Sequence, residues 1–264
     1  MAKPVTEFYD RLSPEYRHNM GWDWEAVMRD EGATLSRLLE ERLGRPPPLT
    51  LLDCSCGIGT QAIGLALQDH QVHATDLSPV SIECASREAA DLGADMTFGV
   101  ADYRNLEDAV SDTFDVVLSC DNSIAHCLTD DDLDAAITSM KARLNPGGLL
   151  LISLRDYAAL VSDKPRFNNE HVQDKPDGRR VVFQLWDWAS TGDRYVNNQF
   201  LLKESDGGYE VKHFRTQLRA LLRDEVLAAV EGAEFQDVRW HVPEQSGYYQ
   251  PIVTARNQLA TTTP

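Results

Sequence analysis

This 264-residue chain is short of cysteine, of basic residues and of long apolar runs, and each shortage excludes something. Its five cysteines, Cys54, Cys56, Cys84, Cys120 and Cys127, are an odd number, which suits reduced thiols better than a disulfide framework. Cys54 and Cys56 form a C-x-C, but no second Cys/His pair follows at zinc-finger spacing. They read as small residues in a tight turn, and no metal is implied. Lys and Arg number 25 against 42 Asp and Glu, for a formal net charge of −17. That field repels a phosphate backbone and an anionic membrane surface alike, so neither nucleic acid nor membrane is an expected partner. The densest basic run, Arg179-Arg180, lies among aspartates. No apolar run approaches spanning length, and Met1 to Asp10 lack the apolar core of a signal peptide. The expected location is cytoplasmic.

What the chain does have is a 42% hydrophobic share, enough for a packed core, and a length that suits one large domain with an insertion. Neither repeats nor low-complexity tracts interrupt it. Glu7 to about Arg42 reads as helical, with Trp22 and Trp24 in its middle, and Gly44-Arg45-Pro46-Pro47-Pro48 breaks it. Short apolar runs then alternate with amphipathic segments. Strands are expected at Leu49–Asp53, Val72–Asp76, Met96–Ala101, Asp115–Cys120 and Leu149–Leu154. Helices are expected at 60–68, 78–92 and 130–144, the last terminated by Asn145-Pro146-Gly147-Gly148. This rhythm implies βαβ units and a parallel, doubly wound sheet. After Arg155 it gives way to Arg180–Trp188, Tyr195–Lys203 and Tyr209–Leu218, separated by Asp-Gly and Gly-Asp turns that suggest antiparallel hairpins. A helix at 223–231 and strands near Val238–His241 and Ile252–Ala255 close the pattern.

The strongest chemical signal is Leu51-Leu52-Asp53-Cys54-Ser55-Cys56-Gly57-Ile58-Gly59-Thr60-Gln61, a buried strand ending in an acid and a small-residue turn that opens a helix. The turn departs from G-x-G-x-x-G, since Cys54 and Ser55 stand near where a first Gly belongs. A pyrophosphate needs the full glycine set, which disfavours a nicotinamide dinucleotide. A zwitterionic amino-acid tail needs less, and Asp53 is placed to pair with its ammonium. Asp76, on the order of 20 residues beyond the turn, suits ribose hydroxyls. Ser78-Pro79 reads as an N-cap followed by Pro in the first helical turn. Asp102 and Asp121 follow the third and fourth strands. One strand-end aspartate is commonly a cap, but four on successive strands point to a site.

These residues resemble the class I S-adenosylmethionine-dependent methyltransferases over about Phe8 to Arg256. The resemblance implies a Rossmann-like α/β fold with a mostly parallel seven-stranded sheet, and S-adenosylmethionine as methyl donor. It makes Asp53 to Gly59 the motif I turn, Asp76 the ribose acid and Asp102 the adenine contact. Cys54, Gly57, Gly59, Leu77, Tyr103, Cys120 and Asp121 are the neighbouring cofactor contacts it implies.

Within that superfamily the chain is similar to the glycine/sarcosine N-methyltransferase group. Phe8-Tyr9-Asp10 with Tyr16 and Trp24 resembles that group's lid, and Asp121-Asn122-Ser123-Ile124-Ala125-His126 resembles its Asn-Ser-x-x-His signature. Arg155 matches the arginine kept for a substrate carboxylate, and Arg29 the one kept for the cofactor's carboxylate. Asn122, Arg155 and His126 are thus the candidate reacting-site residues, with Tyr9, Tyr248 and Tyr249 lining the acceptor pocket. Arg155 has an alternative as an ion-pair partner of Asp156 or another acid, and Asn122 as a turn residue. The implied layout is a helical lid over 1–45, a cofactor-binding core over 46–155 and an antiparallel β insertion over 156–220 covering the substrate. The core resumes over 221–258, and a disordered tail spans 259–264. The expected reaction methylates the nitrogen of an amino acid or carboxylated amine. The alternatives are a small-molecule O-methyltransferase, for which His126 would be the base, and a protein that binds the nucleotide without turnover. The assembly state, monomer or homo-oligomer, is left open.

Overall fold

A computed structural model describes residues 2–19 and 22–259. Two helices, α1 (Ala2–Asn19) and α2 (Trp24–Leu43), come first. An alternating core follows with β1 (Thr50–Asp53), α3 (Thr60–Ala66), β2 (Gln71–Asp76), α4 (Pro79–Leu92), β3 (Thr97–Val100), β4 (Phe114–Ser119), α5 (Asp130–Ala142) and β5 (Leu144–Ser153). The next stretch holds α6 (Tyr157–Asp163), β6 (Phe167–Gln173), β7 (Arg180–Trp188), β8 (Arg194–Ser205) and β9 (Gly208–Arg219). The chain returns with α7 (Arg223–Gly232), β10 (Gln236–His241), α8 (Pro243–Ser246) and β11 (Ile252–Arg256).

The main sheet has the order β10-β11-β5-β4-β1-β2-β3, with β11 and β10 antiparallel to the parallel remainder. Leu51, Leu52, Val116, Val117 and the run Leu149–Ile152 are buried, which is why these strands read as unbroken apolar runs: helices cover both faces. From β1 the sheet grows through β2 to β3 on one side and through β4 to β5 on the other, so the order reverses between β1 and β4. In open α/β sheets the carboxyl-end crevice at such a reversal is where ligands bind. This is a Rossmann-like fold with a second, four-stranded antiparallel sheet, β6-β7-β8-β9, inserted after β5.

Several boundaries differ from the sequence reading. The single N-terminal helix is two, because Asp23 restarts the chain as an N-cap whose side chain accepts from Ala26 N–H at 3.2 Å. Asn145 to Gly148 do not precede a strand but lie inside one. Leu144 already pairs with Phe114, and a register shift before Val116 absorbs the glycines. The insertion has four strands rather than three. The additional one, β6, is a polar edge strand with a register shift between Asn168 and His171, so it shows no clean alternation. The anticipated tail lies outside the described residues except for Leu259. Among the described residues all five cysteines are free and buried, and no helix is long and apolar enough to cross a membrane.

Two features fix the N-terminal helices over the sheet edge. Phe8 and Leu12 of α1 pack against Val182, Leu201 and Phe214 of the inserted sheet, forming a small apolar cluster. Helix α2 crosses α3 at a glycine pair: a Cβ on Gly64 would lie 2.4 Å from the Met28 carbonyl oxygen and 2.9 Å from Gly32 Cα. Backbone therefore fills the space a side chain would need. Gly64→Ala is expected to force the helices apart and lower stability by about 1–3 kcal/mol, partly offset by up to ~1 kcal/mol of helix propensity. Chemical denaturation reads this directly, and an unchanged or raised midpoint would contradict the contact.

Candidate active site

The turn after β1 is strung between two buried acids. Asp53 Oδ1 accepts from Ser55 N–H at 3.1 Å, and Asp76 Oδ2 accepts from Gly57 N–H at 2.9 Å. Asp76 Oδ1 takes Ser78 N–H at 2.9 Å, while Ser78 Oγ caps α4 by accepting from Ser81 N–H. Gly57 has φ +54, a conformation that L side chains rarely adopt, which keeps the backbone bare at the mouth of the turn. Cys54 and Cys56 donate their thiols to the Leu118 and Gly57 carbonyls. Among the described residues no group of three or more His, Cys, Asp or Glu is arranged to hold a metal.

Above this turn opens a cavity of about 770 Å³, within the roughly 300–1,000 Å³ range of ligand sites and near its upper end. Cys54, Gly57, Asp76, Leu77, Asp102, Tyr103 and Asp121 line it from the main sheet. Tyr9, Tyr16 and Trp24 line it from the N-terminal helices, and Asn122, His126, Arg155, Tyr248 and Tyr249 complete the predicted set. Four predicted residues do not reach the wall. Asp53 is 1% exposed behind the turn, where it braces Ser55, and burial pushes its carboxyl up to about 8. It therefore does not face a ligand ammonium as expected. Gly59 serves as the N-cap position of α3, and Cys120 is buried in the core beneath β4.

Arg29 is the clearest correction. It lies on the outer side of α2, half exposed and bonded to Glu25 at 2.8 Å, one helical turn away. From α2 the cavity is lined by Trp24, Ala26, Val27, Asp30, Glu31 and Thr34, and Arg29 is not among them. The residue that the sequence reading missed is Glu31. Its Oε2 accepts from Gln61 Nε2 at 2.6 Å and lies 3.2 Å from the Tyr248 hydroxyl, which is also 2.8 Å from Asp121 Oδ1. Tyr249 donates to the same Asp121 oxygen at 2.7 Å. Burial, with Asp121 nearby, pushes the Glu31 carboxyl up to about 8. An acid on the buried stripe Trp24, Met28, Glu31, Leu35 was the available signal.

Helix α1 closes the cavity from above and is pinned to α4. Ser78 Oγ donates to Asp10 Oδ1 at 2.6 Å, Ser13 and Ser81 hydroxyls meet at 2.7 Å, and Arg17 pairs with Glu88. Tyr9 hydroxyl and His126 Nε2 lie 3.1 Å apart, and burial pulls His126 down to about 4. Burial, with Asp76 and Asp121 respectively as the next cause, holds Tyr9 and Tyr16 far above the usual phenol range. Trp24 Nε1 donates to Thr60 Oγ1 at 2.9 Å. Asp102 is held by the Arg104 guanidinium, which also bonds Asp132. Burial alone would raise the Asp102 carboxyl, but the Arg104 hydrogen bonds outweigh it and lower it.

Asp121 and Asn122 follow β4 with φ of +55 and +67, a costly conformation for non-glycine residues. Asn122 Oδ1 accepts from Arg155 N–H at 3.2 Å, so the side-chain carbonyl expected to hold an amine also ties the two strand ends together. Arg155 Nη1 donates to Tyr195 hydroxyl at 3.0 Å, and its guanidinium lies 5.2 Å from the Trp186 ring centroid. Asp156, the alternative ion-pair partner, instead caps α6 by accepting from Ala158 N–H. Among the described residues Arg155 has tyrosines and the Trp186 ring for partners, and no carboxylate in an ion pair.

Residues 51–148 match the family model of a methyltransferase domain. The chain is 30% identical over 139 residues to the glycine/sarcosine N-methyltransferase of Parasynechococcus marenigrum strain WH8102, covering 53% of this chain and 48% of that protein. The chain thus spans about half the length of the first curated relatives it matches. Among solved structures it superposes on Streptomyces venezuelae DesVI with a TM-score of 0.75 at 17% identity, covering 94% of this chain and 97% of that one. CalS10, an amino pentose methyltransferase from Micromonospora echinaspora solved with S-adenosylmethionine, gives 0.70 at 18% identity, covering 88% and 92%. At these identities the structures show a shared fold.

The raised carboxyls set a pH dependence. Between the ordinary carboxyl range and about 8 the folded chain keeps a proton on Glu31 that the unfolded chain has lost. Stability therefore falls as pH rises through that window, by up to ~1.4 kcal/mol per pH unit for one such group, and levels off above it. Glu31→Gln is expected to flatten the slope between pH 5 and 8 relative to the parent, read from denaturant midpoints across that range. Parallel slopes would show that Glu31 titrates normally.

Proposed function

We propose that the chain is an S-adenosylmethionine-dependent methyltransferase whose acceptor is the nitrogen of a small amine carrying an anionic group. One observation carries the reading: a single cavity joins the bare Gly57 turn and the acids Asp76, Glu31 and Asp121 to Arg155, a guanidinium with no carboxylate partner. The residues fit such a cofactor. Asp76, still open to the cavity, suits a ribose diol, and Asp102 with Tyr103 bounds the place for a base. Glu31, its carboxyl raised to about 8 by burial with Asp121 beside it, marks a pair of acids that a ligand cation would relieve. This reading gives the ammonium to Glu31 and Asp121 rather than to Asp53. The relative named for glycine/sarcosine N-methylation, and the solved amino pentose methyltransferase, support a nitrogen acceptor.

S-adenosylmethionine supplies a methyl on a sulfonium, already activated for in-line displacement. On such a donor, held by Asp76, Glu31 and Asp121, the acceptor nitrogen would take the methyl, sulfur would keep the S–C electron pair as a thioether, and the nitrogen's proton would leave to solvent. The chain's own work is positioning and water exclusion. Arg155 is oriented by Tyr195 and Trp186 to hold the acceptor's anion, two donors in a plane matching a carboxylate. Asn122 holds Arg155 in register with the β4 end. Helix α1 covers the site, and the inserted sheet forms the facing wall, consistent with lid, core and insertion as functional divisions. His126, with its proton affinity lowered to about 4, is a poor general base for a hydroxyl, which favours an amine over an O-methyl acceptor.

Calorimetric titration with S-adenosylhomocysteine, beside NAD and ATP, tests the reading. Micromolar binding selective for S-adenosylhomocysteine is expected, weakened at least tenfold in Asp76→Asn, which keeps the shape of the side chain. Preference for NAD, or no binding by the parent protein, would return the chain to an unassigned Rossmann-like domain.

A further inference from the structure

The inner face of the inserted sheet changes chemistry part-way along. Strand β8 turns Tyr195, Asn197, Gln199 and Leu201 inward, all buried. Leu201 belongs to the apolar cluster with Phe8, Leu12, Val182 and Phe214, and Tyr195 to another with Ala125, Tyr157, Trp186 and Leu218. Between these clusters runs a polar row: Gln184 on β7, Asn197 and Gln199 on β8, and Thr216 on β9. Gln184 pairs with Gln199 and Asn197 with Thr216 in the strand register. Relative exposures are 8%, 6%, 2% and 9%, yet all four side chains line the cavity. A face that served only to pack would be apolar here, because a buried amide without partners is destabilising.

The row has two atoms without partners, Asn197 Oδ1 and Gln199 Nε2. The orientation of the second is forced. Trp186 Nε1, which can only donate, lies 2.9 Å from Gln184 and makes its Oε1 the acceptor. Gln184 Nε2 then donates to Gln199 Oε1 at 2.7 Å, leaving Gln199 Nε2 buried without a partner on a residue that lines the cavity. Asn197 presents an acceptor two residues away on the same strand, roughly 7 Å along it. Arg155 lies beside this row, over Trp186, the register partner of Asn197.

We propose that this amide row and Arg155 together form the acceptor-recognition wall, and that the acceptor is an acidic amino sugar: a hydroxyl-rich ring carrying the amine and one anionic group. The inference rests on the methyltransferase reading above. Hydroxyls both donate and accept, as Gln199 Nε2 and Asn197 Oδ1 respectively require. A ring spans the separation, and the carboxylate or phosphate falls to Arg155. Glycine would use Arg155 and leave the row unsatisfied.

The test uses methyl-labelled S-adenosylmethionine with muramic acid, glucosamine 6-phosphate, glycine and sarcosine, and S-adenosylhomocysteine calorimetry on every protein. Label is expected on muramic acid or glucosamine 6-phosphate with KM at least tenfold below that for glycine, and the better of the two identifies the anion. Asn197→Leu and Gln199→Leu should each raise that KM about tenfold and leave S-adenosylhomocysteine affinity within twofold, and Asn197→Leu, which removes a buried acceptor without a partner and breaks no side-chain bond, should also raise the unfolding temperature. Both sugars inert, or no better than glycine, while S-adenosylhomocysteine binds, would overturn the proposal. So would leucine variants with unchanged KM, or an Asn197→Leu protein with a lowered unfolding temperature or no folded state, which would make the amides structural. Failure of the parent protein to bind S-adenosylhomocysteine is a different result, and it removes the methyltransferase reading itself.

Discussion

Three pieces of the molecule meet at the carboxylate of Asp76. One oxygen holds the Gly57 amide and so sets the turn after β1, while the other holds the Ser78 amide and so sets the start of α4. Ser78 passes the constraint on, its hydroxyl reaching Asp10 of α1. The turn after β1, the α4 cap and α1 are therefore registered to a single side chain, and the cavity lies between them. Asp76 is buried, and burial raises its carboxyl, but amides from Ser78, Gly57 and Leu77 oppose that rise. A carboxylate that already serves three backbone amides and still borders a cavity is a preorganised acceptor rather than an incidental cap.

Charge is distributed along the cavity in a way that the net figure of −17 does not reveal. Glu31 and Asp121 crowd one end through the Tyr248 hydroxyl, a single proton donor lying between two acids. Arg155 borders the same cavity with tyrosines and a tryptophan around it. Burial is the main reason the Glu31 carboxyl rises to about 8, and the neighbouring Asp121 adds to it. A cation arriving there removes the conflict, while an anion arriving at Arg155 supplies the partner the fold withholds. The cavity thus offers one place that suits a cation and another that suits an anion.

Much of this was legible in the chain because the signals were local. Strand-end acids, the Ser78-Pro79 cap and the limits of β7 follow from short-range chemistry, and the structure places Asp76, Asp102 and Asp121 on one cavity wall. What escaped depended on phase and depth. Arg29 and Glu31 are two residues apart on α2, nearly opposite in helical phase, and spacing to the glycine turn could not say which faced inward. Asp53 and Cys120 sit at strand ends like their neighbours, but lie behind the turn or in the core, a difference of a few ångströms that no linear pattern encodes. Strand β6 was missed because an edge strand with a register shift need not alternate.

Strand β8 shows the same limit from the other side. Its segment Tyr195 to Leu201 alternates in burial with the period of a strand, yet Asn197, Asn198 and Gln199 are polar on both faces, so composition alone could not say which amides look outward. Register decides it. Asn197 and Gln199 share a face with Tyr195 and Leu201, and those two belong to separate apolar clusters. A buried face that is apolar at both ends and amide-bearing between them has one part of its surface matched to protein and another matched to something else. Since Trp186 and Gln184 fix the orientation of Gln199, the unmatched donors are held in place rather than free to turn away. The fold keeps an unfavourable arrangement rigid, and rigidity of that kind is useful only if a ligand completes it.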